Sequence, residues 1–159
     1  MVRKLFLVRH ATAGDADKDH ERTLTPSGER DARHLGRWLL DKYSEIDLIL
    51  FSSAVRAKTT AEIISEELKI LSLSENEEIY ESSVRTMLKI VNELPEENEN
   101  VVIVGHNPTI SYFADFLTTS WLQTMHPGSA AILSFENMEW SEVSQNSGSI
   151  IEFYSPEDH

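Results

Sequence analysis

Apolar residues are distributed along the chain in two alternating rhythms. Short dense runs (Leu5–Val8, "IDLILF" at Ile46–Phe51, "NVVIVG" at Asn100–Gly105) read as buried strands. Between them, apolar positions recur every three or four residues, the spacing of a helix with one buried face. "TPSGERDARHLGRWLLDK" places Ala32, Leu35, Leu39 and Leu40 on one side, with Thr25 as N-cap and Pro26 at the first helical position. "SSAVRAKTTAEIISEEL" has Ser53 as its expected N-cap and a stripe of Ala57, Ala61, Ile64 and Leu68. "EEIY" is expected to be a weak third strand. "SVRTMLKIVNEL" forms a third helix with Val84, Met87, Leu88 and Val91 inward. "NPTISYFADFL" forms a fourth, with Asn107 as cap and Pro108 at its first position. "AAILSFE" and "SIIEFY" flank the turn-rich "SQNSGS" and predict a hairpin.

Strand alternating with helix predicts an α/β three-layer sandwich. A mostly parallel central sheet of about six strands would carry helices on both faces and end in the antiparallel hairpin. The length of 159 residues fits a single domain spanning 1–159. In such folds ligands bind outside the C-terminal ends of the strands, so the residues just after each strand are the ones to inspect.

Composition narrows the chemistry. There are no cysteines, which excludes a disulfide scaffold, a thiolate nucleophile and a zinc–cysteine site. No apolar stretch reaches membrane-spanning length, and the run after Arg3 and Lys4 stops at Val8, too short for a signal sequence. A cytoplasmic monomer is expected. The formal net charge of −13 repels nucleic acid and anionic lipid, so neither is expected as a partner.

Against that acidic background, positive charge gathers at the strand ends. The first strand ends in Arg9 and His10. The second leads to Arg56 in the first turn of its helix, the third to Glu81, and the fourth to His106 and Asn107. With Ser53 as cap, Arg56 would be the third helical residue, where a cation opposes the helix dipole. An unfavourable charge at a strand-end position is the mark of a functional requirement. Arginine offers a planar fork that matches phosphate oxygens in pairs. A neutral imidazole can attack phosphorus, and neighbouring arginines keep it neutral. This chemistry requires neither metal nor cofactor.

The segments "VRHA", "RTLTPSG", "SSAVRAKTTAEI", "IYES" and "VIVGHNP" resemble, in order and spacing, the motifs of the histidine phosphatase (phosphoglycerate mutase-like) superfamily. "RHA" followed by "RTLTPSG", in a small chain, is most similar to its phosphohistidine phosphatase SixA branch. The resemblance implies a phosphatase acting through a phosphohistidine intermediate on a phosphate-bearing substrate, a phosphohistidine protein above all. It implies His10 as nucleophile, Arg9, Arg56 and His106 as the phosphate pocket, and Glu81 at the place of a proton donor. Ala11 stands where the superfamily usually has glycine, and Ser53 where proline is common. A phosphatase of a small phosphorylated metabolite is the alternative on the same fold. A non-catalytic phosphate-binding module would be expected to have lost His10 or an arginine.

The remaining candidates read as bland. His20, His34, His126 and His159 read as surface histidines, and the three tryptophans as core or rim, with Trp38 partly buried. Asp15, Asp17 and Asp19 have the spacing that opens a calcium loop, but the sixth position is His20 rather than glycine and the twelfth is Pro26 rather than glutamate. The metal reading fails, leaving a polar loop at Ala11–Arg22. Arg22 can either reach a phosphate or pin that loop.

Overall fold

The computed structural model describes residues 1–119 and 124–159. Its strands are β1 (Val2–Arg9), β2 (Leu48–Phe51), β3 (Leu73–Glu75), β4 (Asn100–Gly105), β5 (Ala130–Glu136) and β6 (Ser149–Tyr154). Its α-helices are α1 (Pro26–Lys42), α2 (Val55–Leu68), α3 (Val84–Asn92) and α4 (Thr109–Thr118). The strands form one six-stranded sheet in the order β3-β2-β4-β1-β5-β6. β3, β2, β4 and β1 are mutually parallel; β5 runs antiparallel to β1, and β6 antiparallel to β5. Among the described residues no helix is long and apolar enough to cross a membrane.

Period-two alternation divides the central strands between two cores. Leu5, Leu7, Val101, Ile103, Leu133 and Phe135 face α3 and α4. Phe6, Val8, Val102, Val104, Ala130 and Ile132 face α1 and α2. The uninterrupted apolar runs in the sequence are thus strands buried on both sides, as in a parallel sheet covered by helices. Trp140 is fully buried, Trp38 is half-buried, and Trp121 lies outside the described residues.

Four expectations are corrected. The third strand is Leu73–Glu75; "EEIY" instead begins as a 3-10 turn, Glu77–Ile79, capped by the Asn76 side chain. As an edge strand β3 pairs only with β2, and its Ser74 and Glu75 are exposed, so it carries no apolar signature. The residue capping α2 is Ala54, which lends no side chain, so Arg56 is the second helical residue. α4 starts at Thr109, after a cis Asn107–Pro108 peptide, so Asn107 is not its cap. Leu40 is 39% exposed: it lies about 140° around the helix from Leu35, outside the arc of Ala32, Leu35, Gly36 and Leu39. Thr25 caps α1 as expected, its hydroxyl accepting from the Gly28 amide.

Two glycines bring backbone close to the end of β1. A Cβ on Gly28 would lie 2.1 Å from the Thr12 carbonyl oxygen, so the first turn of α1 rests directly on the chain just beyond His10. Gly128, at φ +81°, donates to the carbonyls of Arg9 and His10 as the chain turns into β5. Gly28→Ala must therefore push α1 off the 11–13 backbone. Its expected cost is about 1–3 kcal/mol, the range for overpacking. That corresponds to a melting temperature lower by about 3–10 °C at this chain length. Thermal unfolding checks it, and an unchanged midpoint would show that the helix seats elsewhere.

Candidate active site

Strand register brings the candidate residues together. In the parallel ladder Arg9 stands opposite Gly105, so His10 and His106 emerge side by side, their rings 5.2 Å apart. The His10 amide donates to Gly105 O and the Ser52 amide to Val104 O, which aligns the ends of β1, β4 and β2. Arg56 enters from the first turn of α2, buried. Its neighbour Thr60 accepts from the Ala11 amide and donates to Arg56 O, tying α2 to the residue after His10.

The guanidinium of Arg56 organises the group. A guanidinium has five N–H donors arranged along two edges. On its outer edge, Nη1 donates to the Asp19 carbonyl (2.8 Å) and Nη2 to the Asp19 carboxylate (3.1 Å). On its inner edge, Nε donates to His10 Nε2 (3.3 Å) and Nη2 to His106 Nδ1 (3.4 Å). One residue thus holds the outer edge, while the inner edge faces the cleft between two imidazoles.

These partners assign the tautomers. His10 Nδ1 lies 2.8 Å from Ala11 O. A carbonyl only accepts, so Nδ1 carries the proton and Nε2 presents a lone pair to the cleft. His106 is the reverse: Nδ1 accepts from Arg56, and Nε2–H donates to Ser52 Oγ at 2.8 Å. Both rings are held neutral. Burial, reinforced by Arg56, Arg9 and Arg22, pushes His10 down to about 4 against the opposing Ala11 hydrogen bond. Burial, then His10 and Arg56, pushes His106 down to about 3.

The other candidates are distributed unevenly. Arg9 is half-buried; its Nη1 donates to Met125 O, and its buried Nε has no partner among the described residues. Burial, then Arg56, lowers its pKa. Asn107 donates to the same Met125 carbonyl and accepts from Ser111 Oγ. Its amide is committed to bracing the loop on which Arg9 lies. Arg22 pins the loop: it donates to Gly14 O and to the Asp19 carboxylate. Glu81 is exposed, in a left-handed turn (φ 55°) next to Tyr80.

Three residues at this site escaped sequence reasoning. In the sequence Asp19 shows only the spacing of a calcium loop, His20 reads as a surface histidine, and Tyr80 carries no signal of its own. The Asp19 carboxylate accepts from Tyr80 Oη (2.7 Å), Arg22 and Arg56, which hold its carboxyl well below the usual carboxylate range, the tyrosine bond foremost. His20 bonds Ser53 Oγ and sets its ring edge-on to Tyr80, whose ring in turn meets His106 edge-on. Periodicity offers no signal for these contacts, because an isolated bridge between Ala13 and Leu24 folds the loop back over the strand ends. The other three histidines are as expected: His34 is exposed, His126 pairs with Glu157 and His159 stacks on Tyr154.

A lone-pair imidazole nitrogen beside a guanidinium edge, with a second arginine close enough to act on the same imidazole, suits a tetrahedral oxyanion under nucleophilic attack. Comparison with known proteins agrees. Residues 5–86 match the model of the histidine phosphatase superfamily (branch 1). The chain belongs to this superfamily. The matched segment carries Arg9, His10 and Arg56, while His106 lies beyond it. A solved histidine phosphatase from Nakamurella multipartitia, provisionally described as phosphohistidine phosphatase SixA, is similar over 98% of this chain and 97% of its own, with a TM-score of 0.86 and 29% identity. An uncharacterized protein of Mycobacterium leprae is 28% identical, covering 94% of this chain and 99% of its own. Phosphohistidine phosphatase SixA of Escherichia coli is 29% identical, covering 69% of this chain and 70% of its own.

The two histidines link this site to stability. Their folded-state pKa values of about 4 and 3 lie below the ordinary histidine value of 6.5. Between these limits the unfolded chain binds more protons. Their contribution is therefore fully present above about pH 6.5 and is lost as the pH falls towards 4. Between pH 7 and pH 4.5 the loss is on the order of 2 kcal/mol for each histidine, and on the order of 4–5 kcal/mol for the pair. Urea unfolding at pH 7 and pH 4.5 measures it, and His10→Gln with His106→Gln should flatten the profile. Long-range proton–nitrogen spectra should find Nδ1–H on His10 and Nε2–H on His106. An equally steep pH profile in the double variant would refute the assignment.

Proposed function

We propose that the protein is a metal-independent phosphatase working through a phosphohistidine intermediate, and that its substrate is a phosphohistidine-bearing protein or a related phosphoramidate. The observation carrying this reading is the inner edge of Arg56, held between His10 Nε2 and His106 Nδ1. Phosphoryl oxygens replace the two imidazoles as partners of that edge, and Arg9 adds positive charge beside His10. His10 Nε2 attacks phosphorus, and the phosphorus–leaving-group bond breaks with its electron pair departing on the leaving atom. Positive charge develops on the His10 ring, where the Nδ1–H bond to Ala11 O stabilises it. His106 lies beside the incoming oxyanion, which favours its protonated, donating form. Water then attacks the phosphoryl group, the Nε2–P bond breaks, and phosphate leaves with His10 again neutral. Arg9 and Arg56 bring the positive charge that a metal would otherwise supply.

The substrate class follows from two considerations. The similarity to phosphohistidine phosphatases covers nearly the whole chain. An imidazole leaving group also asks less of a proton donor than an alkoxide does, and Glu81 is exposed at the rim rather than fixed against the histidines. The formal charge of −13 repels highly anionic metabolites, while the arginine pocket attracts phosphate locally.

His10→Ala should abolish turnover and the acid-labile label that a phosphorylated substrate leaves on the wild type. Arg56→Ala should lower kcat/KM roughly 100- to 1000-fold, the range for losing a preorganised oxyanion donor. Wild-type turnover should survive excess chelator and be inhibited by vanadate. Substantial turnover by His10→Ala, or rescue of chelated enzyme by a divalent ion, would refute the mechanism.

The substrate is tested by kcat/KM on a phosphohistidine protein against sugar phosphates, phosphoglycerates and nucleotides. The phosphohistidine protein is expected to win. A metabolite preferred by about tenfold, equivalent to about 1.4 kcal/mol, would leave the chemistry but move the substrate to small phosphorylated metabolites.

A further inference from the structure

The polar loop between β1 and α1 returns a carboxylate to the mouth of the phosphate pocket. Asp19 Oδ2 accepts from Arg56 Nη2 and from Tyr80 Oη, and Oδ1 accepts from Arg22 Nη1. The Asp19 carbonyl takes Arg56 Nη1 as well. The carboxylate therefore does not occupy the inner edge of Arg56, where phosphate would bind. It sits on the opposite edge, half-exposed, while the Arg56 side chain it grips is only 7% exposed.

We propose that Asp19 is a specificity-determining residue: a fixed negative charge at the pocket mouth that disfavours substrates bearing a second anionic group beside the phosphoryl group. The proposal rests on the phosphatase reading above and adds how the site chooses among phosphates. Three donors fix the carboxylate in place, and they hold its pKa low enough for the charge to persist across the physiological range. A substrate phosphoryl group faces that charge through Arg56, which screens it. A second carboxylate or phosphate a few ångströms further out lies beyond Arg56 and meets the exposed half of the carboxylate, where Arg22, on Oδ1, offsets only part of its charge. A neutral or cationic neighbour, such as a protonated phosphoimidazole ring, is favoured at the same position. Specificity built on a repulsive group of this kind acts on competitors without weakening the favoured substrate.

Asp19→Asn separates charge from position, because the amide oxygen still accepts from Arg56 and Tyr80. Asp19→Ala removes both. The measurement is the ratio of kcat/KM within two substrate pairs. One pair is a phosphohistidine peptide with basic or neutral flanking residues against the same peptide with acidic ones. The other is p-nitrophenyl phosphate against a sugar bisphosphate. Glu97→Gln, an exposed acid elsewhere on the chain, controls for net charge.

In Asp19→Asn the discrimination should fall about three- to tenfold in both pairs, the size of one unit charge acting over several ångströms at a solvated site. Because each ratio is taken within one variant, any uniform loss of turnover from weaker support of Arg56 cancels. Glu97→Gln should leave both ratios unchanged, and Asp19→Ala should lower turnover of every substrate as Arg56 Nη2 loses its carboxylate partner. Unchanged ratios in Asp19→Asn, or an equal shift in Glu97→Gln, would overturn the proposal. If wild type ignores phosphohistidine peptides but cleaves the esters, the proposed substrate fails, and the ester pair still decides the role of Asp19.

Discussion

The site turns on one buried cation. A guanidinium placed between two imidazoles would be unstable as an isolated charge, since burial without partners carries a heavy penalty. Here each edge is occupied: the outer by Asp19, the inner by His10 and His106. The same placement sets the protonation of both histidines, because a cation at hydrogen-bond distance disfavours a second positive charge. It also ties the β1–α1 loop to α2, so the loop and the pocket are ordered together.

The sheet supplies the rigidity this arrangement needs. His10, Ser52 and His106 follow the C-terminal ends of adjacent parallel strands, positioned by ladder hydrogen bonds rather than by flexible loops. β5 enters antiparallel from the same end, and Gly128 bonds the carbonyls of Arg9 and His10 as it does so. The chain around the proposed nucleophile is thus held from both sides, by β4 and by the turn before β5.

Electrostatics operates on two scales. The whole molecule is strongly acidic, while the strand ends concentrate Arg9, Arg22 and Arg56 around two neutral imidazoles. Asp19 divides the scales: it offsets part of the local positive charge without entering the cleft. Membership of the histidine phosphatase superfamily accounts for the His10 and Arg56 segments. The loop that carries Asp19 lies within the same matched region and gives the pocket its outer wall.

What the sequence determined by itself was whatever local periodicity and strand order encode. Apolar runs marked the buried strands, three-to-four spacing marked the helices, and Thr25 marked a cap that the structure keeps. Because the parallel topology aligns strand ends, Arg9, His10, Arg56 and His106 could be assembled into one site from their positions alone. The edge strand β3 was misplaced because an edge needs backbone pairing and little apolar burial. Asn before Pro is a strong local cap signal, but α4 begins at Thr109 and the bonds of Asn107 to Met125 and Ser111 give it a different place. Tertiary structure alone decided the tautomers, the seating of the inner edge of Arg56 between His10 and His106, and the contacts of Asp19 and Tyr80. Those depend on side chains up to 61 residues apart meeting within hydrogen-bond distance, as Tyr80 meets Asp19. No one-dimensional pattern records which partner a polar side chain in a folded-back loop will find.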